Sequence, residues 1–463
     1  MAAAVSALFL AGLQGADAQV PCDPAKCVHP ACVCPSITPP KGMDPQKAPQ
    51  FVTLTFDDAV QKTLVDVTSS LMASHRNPNG CPIPSTWFVQ TLYSDYALVQ
   101  QWYAAGNEVA DHTMTHVGSP PVDEVAGNRK AINAFSGIPY SKMTGFRAPF
   151  LNYTKGTFDI LGQEKIEYDS STTADTTTAF WPYTLDNGLA NDCWNGICQA
   201  GVVQPGMWEI PMHAIMDDST PPIAHNMDVH LEIKDTAKLN QLLRDNFNEH
   251  YTKNRAPFGI YLHPVHVGTS NDTYNSFFTE ILKNQDVWFV TNQQLLQWMK
   301  NPVPATELAN QDYMKCTRPA VGKEICNGLD DTKSGTIDTG VLEVCNFAAG
   351  PWSTCYGCPK TAPSPADPVP ERVVVAGTPG ARTAVPVTCA MEWWDPVAAQ
   401  CLCTSSNCTF TDTAIKPTAS GTPGAKPTGS GDKGSAAGTL RVDGAWVTLG
   451  LAASIAAGLV QML

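Results

Sequence analysis

The chain has 463 residues, of which 43% are apolar, and a formal net charge of −14 at pH 7. This length and composition allow one large domain with a sizeable core and a smaller additional module. The acidic balance argues against nucleic acids and anionic membrane surfaces as partners, because both repel a negatively charged protein, and it suits a polycationic ligand.

Residues 1–18 are predicted to form a secretory signal peptide. A short apolar core covers residues 5–13, and Ala16-Asp17-Ala18 provides a small-x-small cleavage site before Gln19. The mature chain keeps all 16 cysteines, an even number that predicts an oxidising compartment and a framework of disulfide bonds. Sequons predict glycosylation at three positions, which are Asn152, Asn271 and Asn407.

Four closely spaced cysteines follow the signal peptide. They are Cys22, Cys27, Cys32 and Cys34. We interpret this segment as a clasp that pins the N-terminal arm to the main body. A zinc knuckle is the alternative interpretation. It is the weaker one, because cysteines of secreted proteins usually form disulfides.

The first predicted strand covers residues 51–56 and ends in two adjacent carboxylates, Asp57 and Asp58. Its apolar residues alternate with threonines, which is typical of a strand. Neighbouring side chains on a strand point to opposite faces, so Asp57 and Asp58 are expected to have different roles. At the strand's end the chain bends, and one carboxylate can then bind a metal while the other faces a substrate. The alternative is an acidic turn that caps the next helix.

A second polar motif places His112 and His116 four positions apart. This spacing puts both imidazoles on one face of a helical turn and is common among metal ligands, whereas a structural or solvated pair is the alternative. The motif follows the apolar run 108–110, so we place it on a loop-to-helix edge beside the end of the first strand. Two His and one Asp make a facial N,N,O site that suits zinc or a similar divalent ion.

Between these motifs, predicted strands and helices alternate along the chain. This alternation indicates a parallel, barrel-like α/β body, in which functional motifs belong at the carboxyl ends of the strands. The predicted strands cover residues 86–89, 108–110, 145–147, 259–262 and 287–290, and the predicted helices cover residues 95–105, 125–135, 239–251, 276–284 and 293–299.

Four motifs follow one another along the chain. They are Thr55-Phe56-Asp57-Asp58, His112-x-x-x-His116, Arg147-Ala148-Pro149-Phe150 and Tyr261-Leu262-His263-Pro264. In this order they resemble the motifs of the polysaccharide deacetylases, the fourth carbohydrate esterase family with NodB homology. The surrounding segments, such as 44–50 and 76–81, resemble chitin deacetylases of arthropod type, and the similarity covers roughly residues 22–303. The resemblance implies a distorted, incomplete (β/α) barrel for residues 19–303.

The resemblance also implies a role for each motif residue. Asp58, His112 and His116 would bind one divalent metal ion, with zinc as the first choice and cobalt or another divalent ion as alternatives. Asp57 would be the general base, held by Arg147 through a charge-assisted pair. His263 would be the general acid that protonates the leaving amine. A backbone N–H at Phe150, where the family usually has Tyr, would stabilise the oxyanion together with the metal.

Taken singly, several of these residues have simpler interpretations. Arg147 could be an ordinary surface arginine. His263 could be a core histidine, with His266 near enough to compete for its role. Asp169 lies where the family's fourth motif falls and would orient Arg147 or His263, although an Asx-turn explains it equally well. Leu262, beside His263, would line the substrate site.

Residues 174–230 form an insertion that is longer than a barrel turn requires. Its aromatic residues include Trp181, Tyr183, Trp194 and Trp208. Exposed aromatic rings stack on the apolar faces of sugars, so a sugar-binding lip at Trp181 and Tyr183 is one interpretation, and core packing is the other. A Cys193–Cys198 bridge would close the tip of the insertion.

Residues 304–411 are predicted to be a small Cys-rich module, held together by disulfides rather than by a core. Nine cysteines lie between Cys316 and Cys408 and seven precede them, so at least one bridge should cross the boundary. Residues 330–338 faintly resemble a calcium loop, but they lack carboxylates at its third and fifth positions and the loop lacks a Glu at its twelfth, so calcium binding is not expected. Residues 389–401 resemble a fragment of small invertebrate chitin-binding modules.

The end of the chain is predicted to attach the protein to a membrane surface. Residues 412–439, rich in Gly, Pro, Ser and Thr, form a disordered stalk, and residues 440–463 form a signal for a GPI anchor. Attachment is predicted at Gly434 or Ser435. A single-pass helix is the alternative. The mature protein would lie on the outer face of the plasma membrane or in the cell wall.

Two classes of function follow from this sequence. The first is a metal-dependent amidohydrolase that removes acetyl groups from N-acetylglucosamine units of chitin or chitooligosaccharides, giving chitosan and acetate. The complete set of motif residues favours it over the second class, a catalytically silent protein that binds chitin or organises a matrix. Xylan esters and peptidoglycan are less favoured substrates. We expect a monomer without a nucleic-acid partner.

Overall fold

A computed structural model describes residues 20–192, 201–268, 270–316, 342–354 and 356–371, with four two-residue strands between 330 and 401. Several predictions lie outside the described residues. They concern the signal peptide, Trp194, the Cys193–Cys198 bridge, the sequon at Asn407, the stalk, and the anchor signal with Gly434 and Ser435.

The strands of the described chain are, in order, β1 Gln50–Asp58, β2 Thr86–Val89, β3 Glu108–Asp111, β4 Gly145–Phe146, β5 Tyr168–Asp169, β6 Thr173–Ala174, β7 Tyr183–Leu185, β8 Gln204–Glu209, β9 Met212–His213, β10 Ile215–Met216, β11 Ala224–His225, β12 Phe258–Leu262, β13 Val287–Phe289, β14 Asp330–Asp331, β15 Thr336–Ile337, β16 Glu343–Phe347, β17 Gly350–Thr354, β18 Trp394–Asp395 and β19 Gln400–Cys401.

The helices are α1 Lys62–Met72, α2 Tyr96–Ala104, α3 Val122–Ser136, α4 Lys155–Gln163, α5 Val229–Glu232, α6 Thr236–Thr252, α7 Pro264–Val267, α8 Asn271–Ile281, α9 Asn292–Lys300 and α10 Ala305–Leu308. No helix in these described ranges is long and apolar enough to cross a bilayer.

One sheet of nine strands forms the main body. Its order is β12-β1-β2-β3-β4-β5-β8-β7, and β13 also pairs with β1. Neighbouring strands are parallel except for the pair β7 and β8 at one end. Within the described chain the end strands β12 and β7 do not pair with each other. The sheet is therefore an open, incomplete barrel, which confirms the predicted fold class.

Both faces of the sheet are buried, as expected for parallel strands covered by helices. Side chains on β1 alternate between the two faces. Leu54 and Phe56 pack in one cluster with Trp87 and Trp102, whereas Phe51 packs in a second cluster with Trp298. The sheet is thus fixed from both sides, and its strand ends are held in place.

The predicted motifs lie at one edge of this sheet, because parallel strands all end on the same side. Asp58 is the last residue of β1, and His112 directly follows β3. Arg147 directly follows β4, and His263 directly follows β12. Residues far apart in the sequence therefore meet at the carboxyl edge of the strands.

Of the four disulfides within the described residues, three close local loops and one joins a later segment to the main body. Cys22–Cys34 and Cys27–Cys32 close the N-terminal clasp, so its four cysteines form disulfides rather than a zinc knuckle. Cys81–Cys316 crosses the boundary near residue 303, as predicted. Cys345–Cys358 closes a hairpin of β16 and β17, which packs against α2.

Candidate metal centre and active site

Three side chains at the carboxyl edge converge on one point. His116 Nε2 lies 3.1 Å and His112 Nε2 3.6 Å from Asp58 Oδ1. Potential ligand atoms from these residues all lie within 4.8 Å of one another. Asp58 has a φ of 84°, in the left-handed region, so the chain turns at the end of β1 and the strict alternation of faces stops there. The structure thus brings together the predicted ligand set.

The ring of His112 is oriented by a hydrogen bond on the side of the ring that faces away from Asp58. Its Nδ1 lies 2.8 Å from the carbonyl oxygen of Arg147. Because a carbonyl oxygen can only accept a hydrogen bond, Nδ1 carries the proton and donates it. The Nε2 lone pair therefore faces Asp58, in the arrangement that metal-binding histidines commonly show. Burial lowers the pKa of His112 despite the nearby carboxylates of Asp57 and Asp58, so its ring stays neutral and able to bind a cation.

His116 reaches the same point from a loop rather than from a helical turn. Residues 112–116 form no helix, and both Thr113 and His116 have positive φ, at 64° and 62°. The buried carboxylate of Glu124 organises this loop, because it accepts hydrogen bonds from the backbone N–H groups of Met114 and Thr115 at 2.9 and 2.8 Å. The prediction of a helical face was wrong, since these local bonds replace helical ones.

The donor set fits a divalent cation. Asp58 Oδ1 is buried and accepts no hydrogen bond from any described residue, although two imidazole nitrogens lie near it. Such an oxygen is costly unless a cation or another donor satisfies it. Two imidazoles and one carboxylate suit zinc or a similar ion with open positions for water and substrate. Asp58 and His116 are partly exposed, so the site is open to solvent.

Asp57 lies beside this centre and is held by a buried arginine. Arg147 Nη1 donates to Asp57 Oδ1 at 2.7 Å and to Thr55 Oγ1 at 2.8 Å. Its Nε donates to the carbonyl oxygen of Ser170 at 2.8 Å, and its guanidinium lies 4.1 Å from the centroid of the Phe88 ring. Arg147 is completely buried. It is therefore not a surface arginine, and it fixes the position of Asp57.

His263 approaches from the other side and is paired with Asp228. The backbone N–H of His263 donates to Asp228 Oδ1 at 2.9 Å, and its Nδ1 bonds Asp228 Oδ2. Its Nε2 consequently faces the centre, 3.9 Å from Asp58 Oδ2. Burial alone would lower the pKa of His263, but the Asp228 bond and the charges of Asp57, Asp228 and Asp58 raise that pKa to about 9. The ring is thus a proton donor at neutral pH.

Residues 44–168 match the family model for polysaccharide deacetylase. They form a polysaccharide deacetylase domain. The match includes Asp57, Asp58, His112, His116 and Arg147, whereas Asp228 and His263 lie beyond its end.

Two curated proteins from an insect are similar to this chain. The chain is 29% identical to chitin deacetylase 8 of Bombyx mori over 385 residues, which cover 79% of this chain and 97% of that protein. It is 31% identical to chitin deacetylase 1 of Bombyx mori over 315 residues, which cover 63% of this chain and 58% of that protein.

Solved structures from bacteria and fungi are more distant. A family 4 carbohydrate esterase from Streptomyces lividans has a TM-score of 0.30 at 15% identity, covering 52% of this chain and 91% of that chain. The chitin deacetylase from Colletotrichum lindemuthianum has a TM-score of 0.33 at 15% identity, and the match covers 54% of this chain and 88% of that chain.

Asp228 is a candidate functional residue that the sequence motifs did not reveal, because it bonds His263. The fourth-motif role was assigned to Asp169, which instead forms the predicted Asx-turn. Its Oδ2 accepts from the N–H of Ser171 at 2.8 Å, and its Oδ1 accepts from the Ser171 hydroxyl at 2.7 Å. This turn places Ser170 against Arg147, so Asp169 acts on Arg147 indirectly and makes no hydrogen bond to His263.

The predicted substrate-binding residues fall into two groups. Phe150 is 66% exposed, and its ring lies 4.5 Å from that of His116, so it borders the site. Trp181 and Tyr183 are buried, and Trp181 stacks on Trp298 at 5.3 Å. A sugar-binding lip at these two residues is therefore wrong, and the core-packing interpretation applies. Leu262 is also buried, in the core cluster beneath the site.

The two sequons within the described chain lie on or near the surface. Asn152 is exposed and accepts a hydrogen bond from Ser119 at 3.0 Å, whereas Asn271 is half-buried at the start of α8. Glycosylation at both positions stays a prediction.

Proposed function

We propose that this protein is a metal-dependent chitin deacetylase, which hydrolyses the acetamido groups of N-acetylglucosamine units in chitin or its oligomers and releases acetate. One observation carries the proposal: the Asp58, His112 and His116 cluster lies between a carboxylate held by Arg147 and a protonated imidazole held by Asp228. Hydrolysis of an amide requires a base that activates water, a centre that binds the carbonyl group and an acid that protonates the leaving nitrogen.

The residues divide the chemistry between them. A divalent ion held by Asp58, His112 and His116 would polarise the amide carbonyl and make water more acidic. Asp57 accepts a proton from the attacking water, whose oxygen bonds to the carbonyl carbon. The backbone N–H of Phe150 donates to the developing oxyanion. His263 gives its Nε2 proton to the leaving nitrogen as the C–N bond breaks, so the products are acetate and an amine.

The surroundings of the site support a sugar polymer as substrate. Val117, Phe150 and Val265 are exposed, and each lies within a few residues of His116, Arg147 or His263. Apolar side chains around an open site can contact the apolar faces of pyranose rings. The names of both Bombyx mori relatives identify them as chitin deacetylases, which favours chitin over other polysaccharides.

The proposal is tested by measuring acetate release from N-acetylglucosamine oligomers. We expect release by the purified protein with zinc, loss after chelation, recovery when zinc is restored, and a loss of roughly 10²-fold or more in Asp57→Asn. Asp66→Asn, a change to an exposed carboxylate on α1, is the matched control and should be neutral. Absence of release from every oligomer and from chitin, by folded and zinc-loaded protein, would contradict the proposal.

We further propose that the mature protein acts outside the cell and is held there by a GPI anchor. The four described disulfides support an oxidising compartment. Release of the protein from intact cells by a phospholipase specific for phosphatidylinositol would support the anchor, and retention after this treatment would contradict it.

A further inference from the structure

The loop between His112 and His116, which we call the metal-ligand loop, contains one large apolar side chain that the proposed mechanism does not use. This side chain is Met114, which is only 2% exposed. Its backbone N–H donates to Glu124 Oε2 at 2.9 Å, and its carbonyl oxygen accepts from the N–H of Leu92 at 2.9 Å. A single residue separates Met114 from each histidine, so a shift of Met114 would move both imidazoles.

The side chain of Met114 belongs to a buried apolar cluster that includes the hairpin of β16 and β17. We call it the hairpin cluster, and its members are Tyr96, Met114, Ala131, Ala134, Phe135, Cys345 and Trp352. Cys345 lies on β16 and Trp352 on β17, whereas the other members lie on the metal-ligand loop, α2 and α3. The packing around the metal-ligand loop is thus completed by a segment that lies far along the chain.

The segment after the hairpin approaches Met114 as well. Gly127 is buried on α3, and an ideal Cβ on this glycine would lie 3.4 Å from Met114 Sδ, 3.6 Å from Pro368 Cβ and 3.7 Å from Pro365 Cα. Met114 and the two prolines therefore meet around one point on α3. Both the hairpin and the residues that follow it pack beside the metal-ligand loop.

The hairpin is itself fixed to the main body by polar contacts. The backbone N–H of Ser353 donates to Asp95 Oδ2 at 2.8 Å, and Thr354 Oγ1 donates to the carbonyl oxygen of Phe135 at 2.6 Å. The ring of Trp352 lies 5.4 Å from that of Phe135. Because close-packed side chains transmit strain and leave little free space, a hairpin held in this way restricts the positions that its neighbours in the cluster can adopt.

We propose that the hairpin of β16 and β17 positions the metal ligands: Trp352 holds Met114 through the hairpin cluster, and Met114 keeps the two histidines in place. A loop ordered in advance loses less conformational entropy when its side chains bind a cation, so the hairpin raises the metal affinity. The proposal rests on the proposed function and deepens it. It makes the metal affinity depend on a segment beyond residues 44–168, which match the polysaccharide deacetylase model.

The test measures the zinc affinity of the full chain by competition with a coloured chelator. Trp352→Ala opens the hairpin cluster, and Met114→Ala removes the side chain through which Trp352 acts. We expect each variant to bind zinc about tenfold more weakly, and the double variant to lose no more than about tenfold, because both changes remove the same support. Trp352→Phe keeps an aromatic ring and should restore most of the affinity. Unchanged affinity in either single variant, or a loss of about a hundredfold in the double variant, would overturn the proposal.

Two controls distinguish positioning of the ligands from a general loss of stability. Phe277→Ala removes a buried ring that packs against Phe247 and Phe258, away from the hairpin cluster, and Val344→Ala changes an exposed residue of the hairpin. Both folded variants should bind zinc as the wild type does. A tenfold loss in Phe277→Ala as well would reject the positioning role, since affinity would then follow stability.

The outcome for the wild type separates this proposal from the proposed function. A wild-type protein that binds no zinc would overturn both. A wild-type protein that binds zinc and releases acetate, with equal zinc affinity in Trp352→Ala, would overturn the positioning role alone.

Discussion

At the scale of single residues, the charge on His263 depends on Asp228. A half-buried imidazole would ordinarily lose its proton more easily, yet the pKa of His263 is raised to about 9 because Asp228 bonds its Nδ1 and other carboxylates lie nearby. Since the folded pKa lies above the ordinary value of 6.5, the pair stabilises the fold fully below pH 6.5, and this stabilisation is lost as the pH rises through about 9.

Replacing Asp228 with Asn should move the alkaline limit of catalysis. Asn cannot hold the imidazolium by charge, so we expect the upper pKa of the kcat/KM–pH profile to fall toward the ordinary histidine value of about 6.5. The measurement is acetate release across pH 5 to 10, at roughly one-unit intervals. Asp218→Asn, an exposed change in the same insertion, serves as the control. A uniform loss of activity with an unmoved profile would assign Asp228 a structural role only.

Glu124 is the residue that determines the shape of the metal-ligand loop. It accepts two backbone N–H bonds from Met114 and Thr115, and its other oxygen bonds the Thr115 hydroxyl. Glu124→Gln keeps the volume but turns one acceptor oxygen into a donor amide. We expect the zinc affinity to fall by at least roughly tenfold, measured by competition with a coloured chelator. Asp123→Asn, on the exposed neighbour, is the control, and an unchanged affinity in Glu124→Gln would contradict this role.

At the scale of elements, the ends of the strands were predictable and the loops were not. Asp58 and His263 follow short runs rich in β-branched or aromatic residues, and His112 follows the short run 108–111 with its apolar pair Val109-Ala110, so a local pattern placed all three at strand ends. The loop 112–116 has helical spacing but is folded by Glu124, which lies beyond the motif. The Asp228–His263 pair joins residues 35 positions apart, and no local pattern marks such a contact.

The role of the aromatic residues in the insertion 174–230 was also difficult to predict from sequence. Trp181 has the composition of a sugar-binding surface, but a sheet with two buried faces also needs large side chains from its connections. Its ring stacks on Trp298, and its Nε1 donates to the carbonyl oxygen of Asn254 at 3.1 Å. Sequence composition alone does not distinguish these uses of Trp, because both require the same side chain.

The hairpin of β16 and β17 packs directly on the main body through α2. Trp352 is nearly buried between Tyr96, Phe135 and Phe347. We expect Trp352→Ala to lower the free energy of unfolding by about 3 kcal/mol, measured by urea denaturation with the disulfides intact. Val344→Ala, an exposed change on the same hairpin, should cost less than about 0.5 kcal/mol. Similar small losses for both variants would show that the hairpin does not pack on α2 in solution.

At the scale of the whole molecule, covalent bonds connect segments that a division by composition would separate. The change in composition after residue 303 predicts a boundary, yet Cys81–Cys316 joins its two sides and the hairpin of β16 and β17 packs against α2. The predicted crossing bridge is confirmed. The position of the hairpin could not be predicted, because it depends on how α2 and β17 pack.

The pairing of β1 also constrains how the chain is made. Val52 is in register with both Phe258 and Phe289, so the strand that carries Asp57 and Asp58 gains these partners only after most of the body has been synthesised. Contacts between such distant residues slow folding, because a long loop must close first. During synthesis one side of β1 stays open, and a ribosome that stops before β13 leaves an aggregation-prone strand edge. Asp57 and Asp58 thus emerge early from the ribosome, but their strand gains its last partners late in synthesis.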